Sequence, residues 1–275
     1  MDSLEEEYAL PVISLMTDFG LKDGNVGVMK GVIWGIAPEA QIADLSHMIQ
    51  PQNIREAALI LARSAPYFPE QSIHVVVVDP GVGTARRPMA ARIGTQYYVG
   101  PDNGTITLLL ENARRSGVDS EFVQLANPDY WLPDVSFVFH GRDIFSPVAA
   151  HLAVGVPLKS FGPAFDDPVL LELPKPEKAG DHWRGEVIHI DHFGNVASNI
   201  RTEDLGEALK QKEKIHVRVG DATIAGLVNT FGEGAVGELV ALLGSTGNLL
   251  ACVVNGSAEE RLKVKAGDPF EAWVG

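Results

Sequence analysis

VVVVDPGVGTARR, residues 75–87, is the stretch on which the reading of the chain turns. Its four valines continue a run from residue 73 that shows no polar alternation, the pattern of a strand buried on both faces over 73–78. The run ends in Asp79 and Pro80, followed by two glycines and the pair Arg86–Arg87. A glycine-rich loop after a strand invites a phosphate reading. The stretch fits neither G-x-x-x-x-G-K-[ST] nor G-x-G-x-x-G, and Asp79 would set a negative charge where a phosphate should sit. The better physical reading is a carboxylate at a strand end, with Arg86 or Arg87 folded back toward it by the glycine turn to pair with its charge and supply directed donors.

Working outward, VISLM (12–16) reads as another buried strand, ending at Thr17-Asp18-Phe19-Gly20. A helical segment follows with Val28, Val32, Ile33 and Ile36 on one face, stopped by Pro38. Asn53, three residues before Glu56, resembles a capping box, and Ile54, Ala58, Leu61 and Ala65 keep helical spacing up to Pro66 and Pro69. Strands and helices in turn indicate an α/β domain with a mostly parallel sheet over 1–168. The Pro- and charge-rich text DDPVLLELPKPEKAGD marks a linker, placed at 169–182. From 183 to 275 the chain reads as short strands: GEVIHIDHFGNV, IHVRVG, LVALLG, LLACVV and RLKVKAGD. One helix is expected at 202–211, with Thr202 as its cap.

Composition narrows the class. The chain has 275 residues, is 45% hydrophobic and 21% charged, and carries a formal charge of −14. That balance argues against nucleic acid and anionic membrane surfaces, and is compatible with a cationic small molecule. The single cysteine, Cys252, excludes an internal disulfide; with an acidic start (MDSLEEEYALPV) unlike a signal peptide and no apolar run of membrane-spanning length, it points to the cytoplasm.

Three polar positions of the first domain converge. Asp18 and Asp79 end apolar strands, and His140 lies in VFHGRDIF. Ligands of open α/β sheets bind outside the carboxyl ends of the strands, so these residues are candidates for one water-orienting cluster. Taken singly each has a plainer explanation: an acid after a strand forms a turn, a lone histidine is structural, and Arg142 and Asp143 can pair with each other. In HIDHF, His189, Asp191 and His192 have ligand types but no recognised metal spacing, and no metal is expected.

Several motifs together carry a resemblance. MTDFG (16–20), DLSHMIQP (44–51), VVVVDPGVGT (75–84), VGPDNG (99–104), FHGRDIF (139–145), IDHFGNVASNI (190–200) and STGNLLACVVNGSA (245–258), in this order, closely resemble the adenosine-forming S-adenosylmethionine hydrolases. These are the hydroxide adenosyltransferases, relatives of the fluorinating and chlorinating enzymes. The resemblance implies a three-layer α/β domain followed by a small β-barrel. It implies hydrolysis of S-adenosylmethionine to adenosine and methionine without metal or other cofactor, in a homotrimer with the site at the subunit interface. By motif matching it gives Asp79, Arg86 and His140 to the reacting water. The halogenating relatives carry Tyr in place of Asp79 and Ser or Gly in place of His140, so water rather than halide is the expected nucleophile. It gives Asp18 to the ribose hydroxyls and Asp191, with Asn25 nearby, to the methionine ammonium. Phe193 and Phe231 would flank adenine, and Asn195, Asn255 and Gly256 would read its edge. Ser245 and Thr246 would meet the carboxylate, although a relative's arginine falls at Gly247. Halogenation and non-catalytic nucleoside binding are the alternatives to be tested.

Overall fold

In the computed structural model, which describes residues 12–275, the valine run forms β3 (Ile73–Val77), every residue of it buried. The acidic start at 1–11 lies outside the described residues. The chain divides into two compact units, one ending at Leu171 and one running from Glu172 to Gly275.

The first unit is built on a seven-stranded sheet of β1 (Val12–Thr17), β2 (Gln41–Ser46), β3, β4 (Pro88–Ile93), β5 (Gln96–Pro101), β6 (Ser120–Gln124) and β7 (Ala164–Phe165), ordered β2-β1-β3-β5-β4-β6-β7. The pairs β2–β1, β1–β3 and β3–β5 are parallel, while β5–β4, β4–β6 and β6–β7 are antiparallel. All strands but β4 and β7 therefore point the same way. Successive β3 side chains feed opposite cores, as the unbroken apolar run requires. Val75 and Val77 pack with Met29 and Ile33 of α1 (Asn25–Ile36) and Val148 of α4 (Ser146–Ala153). Val76 and Val78 pack with Leu61 of α2 (Ile54–Ser64) and Leu110 of α3 (Thr107–Arg115). Helices cover both faces, giving three layers.

Asn53 caps α2, its side chain accepting from the Glu56 N–H at 3.0 Å, but Glu56 turns to the Gln50 N–H instead of closing a reciprocal box. The buried face of α1 is Val26, Met29 and Ile33; Val28, expected inside, is 44% exposed. Both stripes have helical spacing, and only the direction in which the helix meets the sheet separates them.

The second unit is a nearly closed, barrel-like antiparallel sheet. Its strands are β8 (Glu177–Ala179), β9 (His182–Ile190), β10 (Val196–Arg201), β11 (Ile215–Val219), β12 (Ala222–Ala225), β13 (Leu239–Leu243), β14 (Asn248–Val253) and β15 (Pro269–Val274). The order is β12-β11-β15-β9-β10-β14-β13, with β8 on β9, and a bridge from Leu227 to Ala241 brings the two ends together. Trp183, Val187, Val196, Val217, Leu249 and Phe270 fill the interior. Two local expectations change. RLKVKAGD is not a strand: Ser257 accepts from the Glu260 N–H and starts α6 (Ala258–Leu262), which Lys263 ends at φ 54°. The helix expected at 202–211 is a short α5 (Thr202–Leu205) followed by 3₁₀ turns to Lys214, and Thr202 bonds the Gly247 carbonyl rather than capping it. Among the described residues no helix is long and apolar enough to cross a membrane.

Candidate active site

Asp79 leaves β3 at the carboxyl edge of the sheet, and the turn after it reverses the chain. The Val82 N–H reaches the Asp79 carbonyl at 3.2 Å, and the Thr84 N–H and hydroxyl both reach the Gly81 carbonyl, at 3.1 and 2.7 Å. Gly83 sits at φ +74°, and a Cβ there would lie 2.3 Å from the Phe137 carbonyl oxygen, so only glycine fits. The reversal returns Arg86 to Asp79. Its Nε donates to Oδ1 at 2.9 Å and to Oδ2 at 3.0 Å, and its Nη2 to Oδ2 at 2.5 Å. The same Nη2 donates to His140 Nδ1 at 2.7 Å. Arg86 therefore bridges the acid and the imidazole, and its guanidinium lies 5.3 Å from the centre of the Phe145 ring. Only 5% of the Asp79 side chain and 10% of the Arg86 side chain are exposed. Arg87, chemically an equal candidate, turns away to Asp102 and Asp167 and stacks on Phe165.

His140 directly precedes a π-helical turn, Gly141–Phe145, that runs into α4. Such turns widen a helix locally and recur at functional sites. Gly141 admits this one close to β3, since a Cβ there would meet Val77 at 3.3 Å and Met29 sulfur at 3.4 Å. Arg142 and Asp143 do pair, Nε to Oδ1 at 2.5 Å, and Asp143 also accepts the Ser136 N–H at 2.8 Å. The structural reading of FHGRDIF therefore holds, and the Arg142–Asp143 pair lies in the turn that His140 precedes. A guanidinium can only donate, so His140 Nδ1 accepts and the neutral ring carries its proton on Nε2. Burial, and then the Arg86 charge, push the imidazole below its ordinary 6.5, with Asp79 and Asp143 pulling the other way.

Asp18 stands beside this cluster. Thr17 pairs with Val77 across β1 and β3, so Asp18 and Asp79 leave neighbouring strands at one edge. Phe19 and Phe139, each next to a candidate residue, meet edge to face at 5.7 Å. One Asp18 oxygen accepts the Gln52 N–H at 2.7 Å. Behind it, Thr17 accepts the Phe19 N–H and contacts His47 Nδ1 at 3.0 Å, while His47 Nε2 contacts Asp44 at 3.0 Å. Asn25, the first residue of α1, is exposed.

In the second unit, Asp191 and Asn195 build the β9–β10 turn together. Asp191 Oδ1 accepts the Phe193 and Asn195 N–H groups at 2.9 Å each, and Oδ2 accepts the Asn195 side-chain amide at 2.8 Å. Phe193 stands 73% exposed on that turn. Gly194 lies against Ser257, which brings Asn255 (φ 54°) and Gly256 to the same end of the barrel. Exposed Phe231 opens the 3₁₀ turn Phe231–Glu233, and Gly234 just beyond it packs on Val254. Ser245 and Thr246 are not with this group. They occupy the β13–β14 turn, separated from Asn255 and Gly256 by the length of β14, about 20 Å at ordinary strand rise. There Arg201 Nη2 donates to the Thr246 carbonyl at 3.3 Å and would lie 3.8 Å from a Cβ on Gly247.

Sequence reasoning gave Asp102 and Asn103 no role, although VGPDNG contains both. Their partners, Arg87 and Val78, flank the Asp79–Arg86 loop, and no local pattern announces pairs 15 and 25 residues apart. Among the described residues no group of three or more His, Cys, Asp or Glu side chains could hold a metal ion.

Comparison with known proteins gives the chain its relatives. Over 270 residues the chain is 42% identical to an (R)-S-adenosyl-L-methionine hydrolase of Salinispora tropica, covering 96% of this chain and 98% of the relative. A fluorinase of Nocardia brasiliensis is 29% identical over 96% of the chain and 97% of its own length. The crystal structure of an uncharacterized conserved protein from Thermotoga maritima superimposes with a TM-score of 0.88 at 38% identity, covering 95% of this chain and 99% of that one. Family models for the N-terminal and C-terminal SAM hydroxide adenosyltransferase domains match residues 13–162 and 185–271. Those two matches span both units and every motif of the edge cluster, and the chain belongs to the SAM hydroxide adenosyltransferase family.

Proposed function

We propose that the protein hydrolyses S-adenosyl-L-methionine to adenosine and L-methionine by in-line attack of a water on the ribose C5′. The observation that carries this reading is the Asp79–Arg86–His140 cluster at the sheet edge, beside Asp18. The leaving group is a sulfonium that departs as neutral methionine, so the reaction needs no acid for it. It needs a water held opposite sulfur and a group to take the water's proton. Asp79 is the acceptor: its carboxylate is oriented by three contacts from Arg86 and can accept further hydrogen bonds. His140 Nε2–H, directed by the Arg86 contact on the other ring nitrogen, orients the water oxygen. Arg86 binds both and stabilises hydroxide as it develops. Alignment of this kind accounts for several of the ~7–11 kcal/mol that well-oriented reactants gain.

Asp18 takes the ribose diol, its second oxygen remaining beside the one bound to Gln52. Asp191 and Asn25 meet the methionine ammonium. Phe193 and Phe231 flank adenine, whose edge is read by Asn195, Asn255 and Gly256. The methionine carboxylate shares a carbon with that ammonium, so Ser245 and Thr246, beside Arg201 at the far end of β14, take it only from a different subunit than the one that supplies Asp191. No cofactor takes part, and the protein works in the cytoplasm as a homotrimer with the site at the subunit interface.

The test uses S-adenosylmethionine in ¹⁸O-water with excess chloride or fluoride. The expected products are methionine and adenosine labelled at the 5′ oxygen. A 5′-halo-adenosine would replace this reading by halogenation, and turnover no faster than uncatalysed breakdown would leave a binding protein only.

A further inference from the structure

Resting on the hydrolase reading, we propose that Asn103 is a positioning residue for the reaction: with Asp102 it holds both ends of the loop that aims Asp79 and Arg86. The Asn103 side-chain amide donates to the Val78 carbonyl at 2.9 Å, one residue before Asp79. Asp102 grips the chain one residue after Arg86, its N–H on the Arg87 carbonyl at 2.9 Å and its carboxylate on Arg87 Nε at 2.9 Å. Two adjacent residues thus clamp the entry and exit of the 79–86 turn.

The clamp is itself rigid. The β3–β5 ladder makes its last pairing at Val75 and Val99, and beyond it Gly100 takes over. A Cβ on Gly100 would lie 2.4 Å from the Val76 carbonyl oxygen, so the two chains approach there as only glycine allows. The Asp102 side chain is 1% exposed and its second oxygen accepts the Val169 N–H at 2.8 Å. Asn103 Oδ1 accepts from the Thr105 N–H at 3.4 Å and hydroxyl at 3.3 Å, and that hydroxyl bonds the buried Tyr98 phenol. Both ends of the Asn103 amide are thus engaged inside the unit. Its effect on the reaction passes through the backbone that carries Asp79.

A misplacement of about 1 Å at a reacting group costs on the order of 100-fold in rate. Asn103→Asp keeps the shape and the acceptor toward Thr105 but sets an oxygen against the Val78 carbonyl. The expected result is a fall in kcat of about 10-fold to 100-fold with KM unchanged, because the substrate-binding residues are untouched. Combined with Asp79→Asn, it should add no further loss, since its effect is exerted through Asp79. An unchanged kcat, or a loss that adds in full to that of Asp79→Asn, would overturn the proposal. If Asn103→Asp fails to fold, Asn103→Ser is read by the same two measurements. Wild-type turnover is measured first, and its absence would sink the hydrolase reading alone. In that case a crystal structure of the variant decides: an Asp79 carboxylate displaced from Arg86 by about 0.5 Å or more supports the clamp, and an unmoved pair refutes it.

Discussion

Asp79 and Arg86 form an ion pair almost closed to water, and removing one member leaves the other charged and buried. Asp79→Ala should therefore cost about 3 kcal/mol of stability, which would blur any kinetic result. Asp79→Asn keeps the shape and is the better probe. Its kcat should fall by on the order of 10²–10⁴ while the Kd for adenosine holds, measured by single-turnover product formation and calorimetry. Weaker adenosine binding with kcat preserved would move Asp79 from the chemistry to binding. His140 makes a pH prediction. Burial and Arg86 depress its pKa below 6.5, so the neutral ring is the native form and protonation must break the Arg86 contact. The imidazole's contribution is complete above its ordinary value and is lost only as pH falls through the depressed one. In the kcat/KM profile the acid limb should lie below 6.5; a limb centred above it would contradict the assignment.

At the scale of the element, the tight approach of Gly83 to Phe137 joins the Asp79 turn to the segment entering the His140 turn. Gly83→Ala adds left-handed strain of ~1–2 kcal/mol to a backbone clash, and should lower thermal stability and turnover together. Gly20, also left-handed but with open space around it, is the control: Gly20→Ala should show the strain without the clash. Elements became legible where one local rule governed them. The valine run announced β3 because burial on both faces leaves no polar position, and Asn53 announced α2 because a cap is local. RLKVKAGD imitated a strand through the spacing of Leu262 and Val264, while the governing signal, the Ser257 cap, lay upstream. β4, β5 and β6 escaped because PMAARI, QYYVGP and SEFVQ alternate poorly, and their neighbours in the sheet rather than their own pattern hold them there. The choice between Arg86 and Arg87 was open for a related reason: Asp102, which draws Arg87 away, is distant in sequence.

For the whole molecule, the first unit gathers its proposed residues at one edge, whereas the second separates Ser245 and Thr246 from Asp191, Asn255 and Gly256. The homotrimer proposed above predicts a solution mass three times that of the chain by light scattering, and a trimer-breaking variant that loses turnover while retaining its secondary structure. A fully active monomer would end the interface proposal. The motifs were legible as chemistry only in combination, since a sheet register sets Asp18 beside Asp79 and the Arg86 contact adds His140, and no single motif contains either. Gly194 lies so close to Ser257 that a Cβ there would sit 2.1 Å from its hydroxyl oxygen, and the Glu259 N–H bonds the Gly194 carbonyl at 3.0 Å. The Phe193 turn and the Asn255–Gly256 segment are thus one mechanical piece before any nucleoside arrives. If adenine binds here as proposed, little conformational entropy is left for it to extract from this surface, so its affinity should depend only weakly on loop ordering.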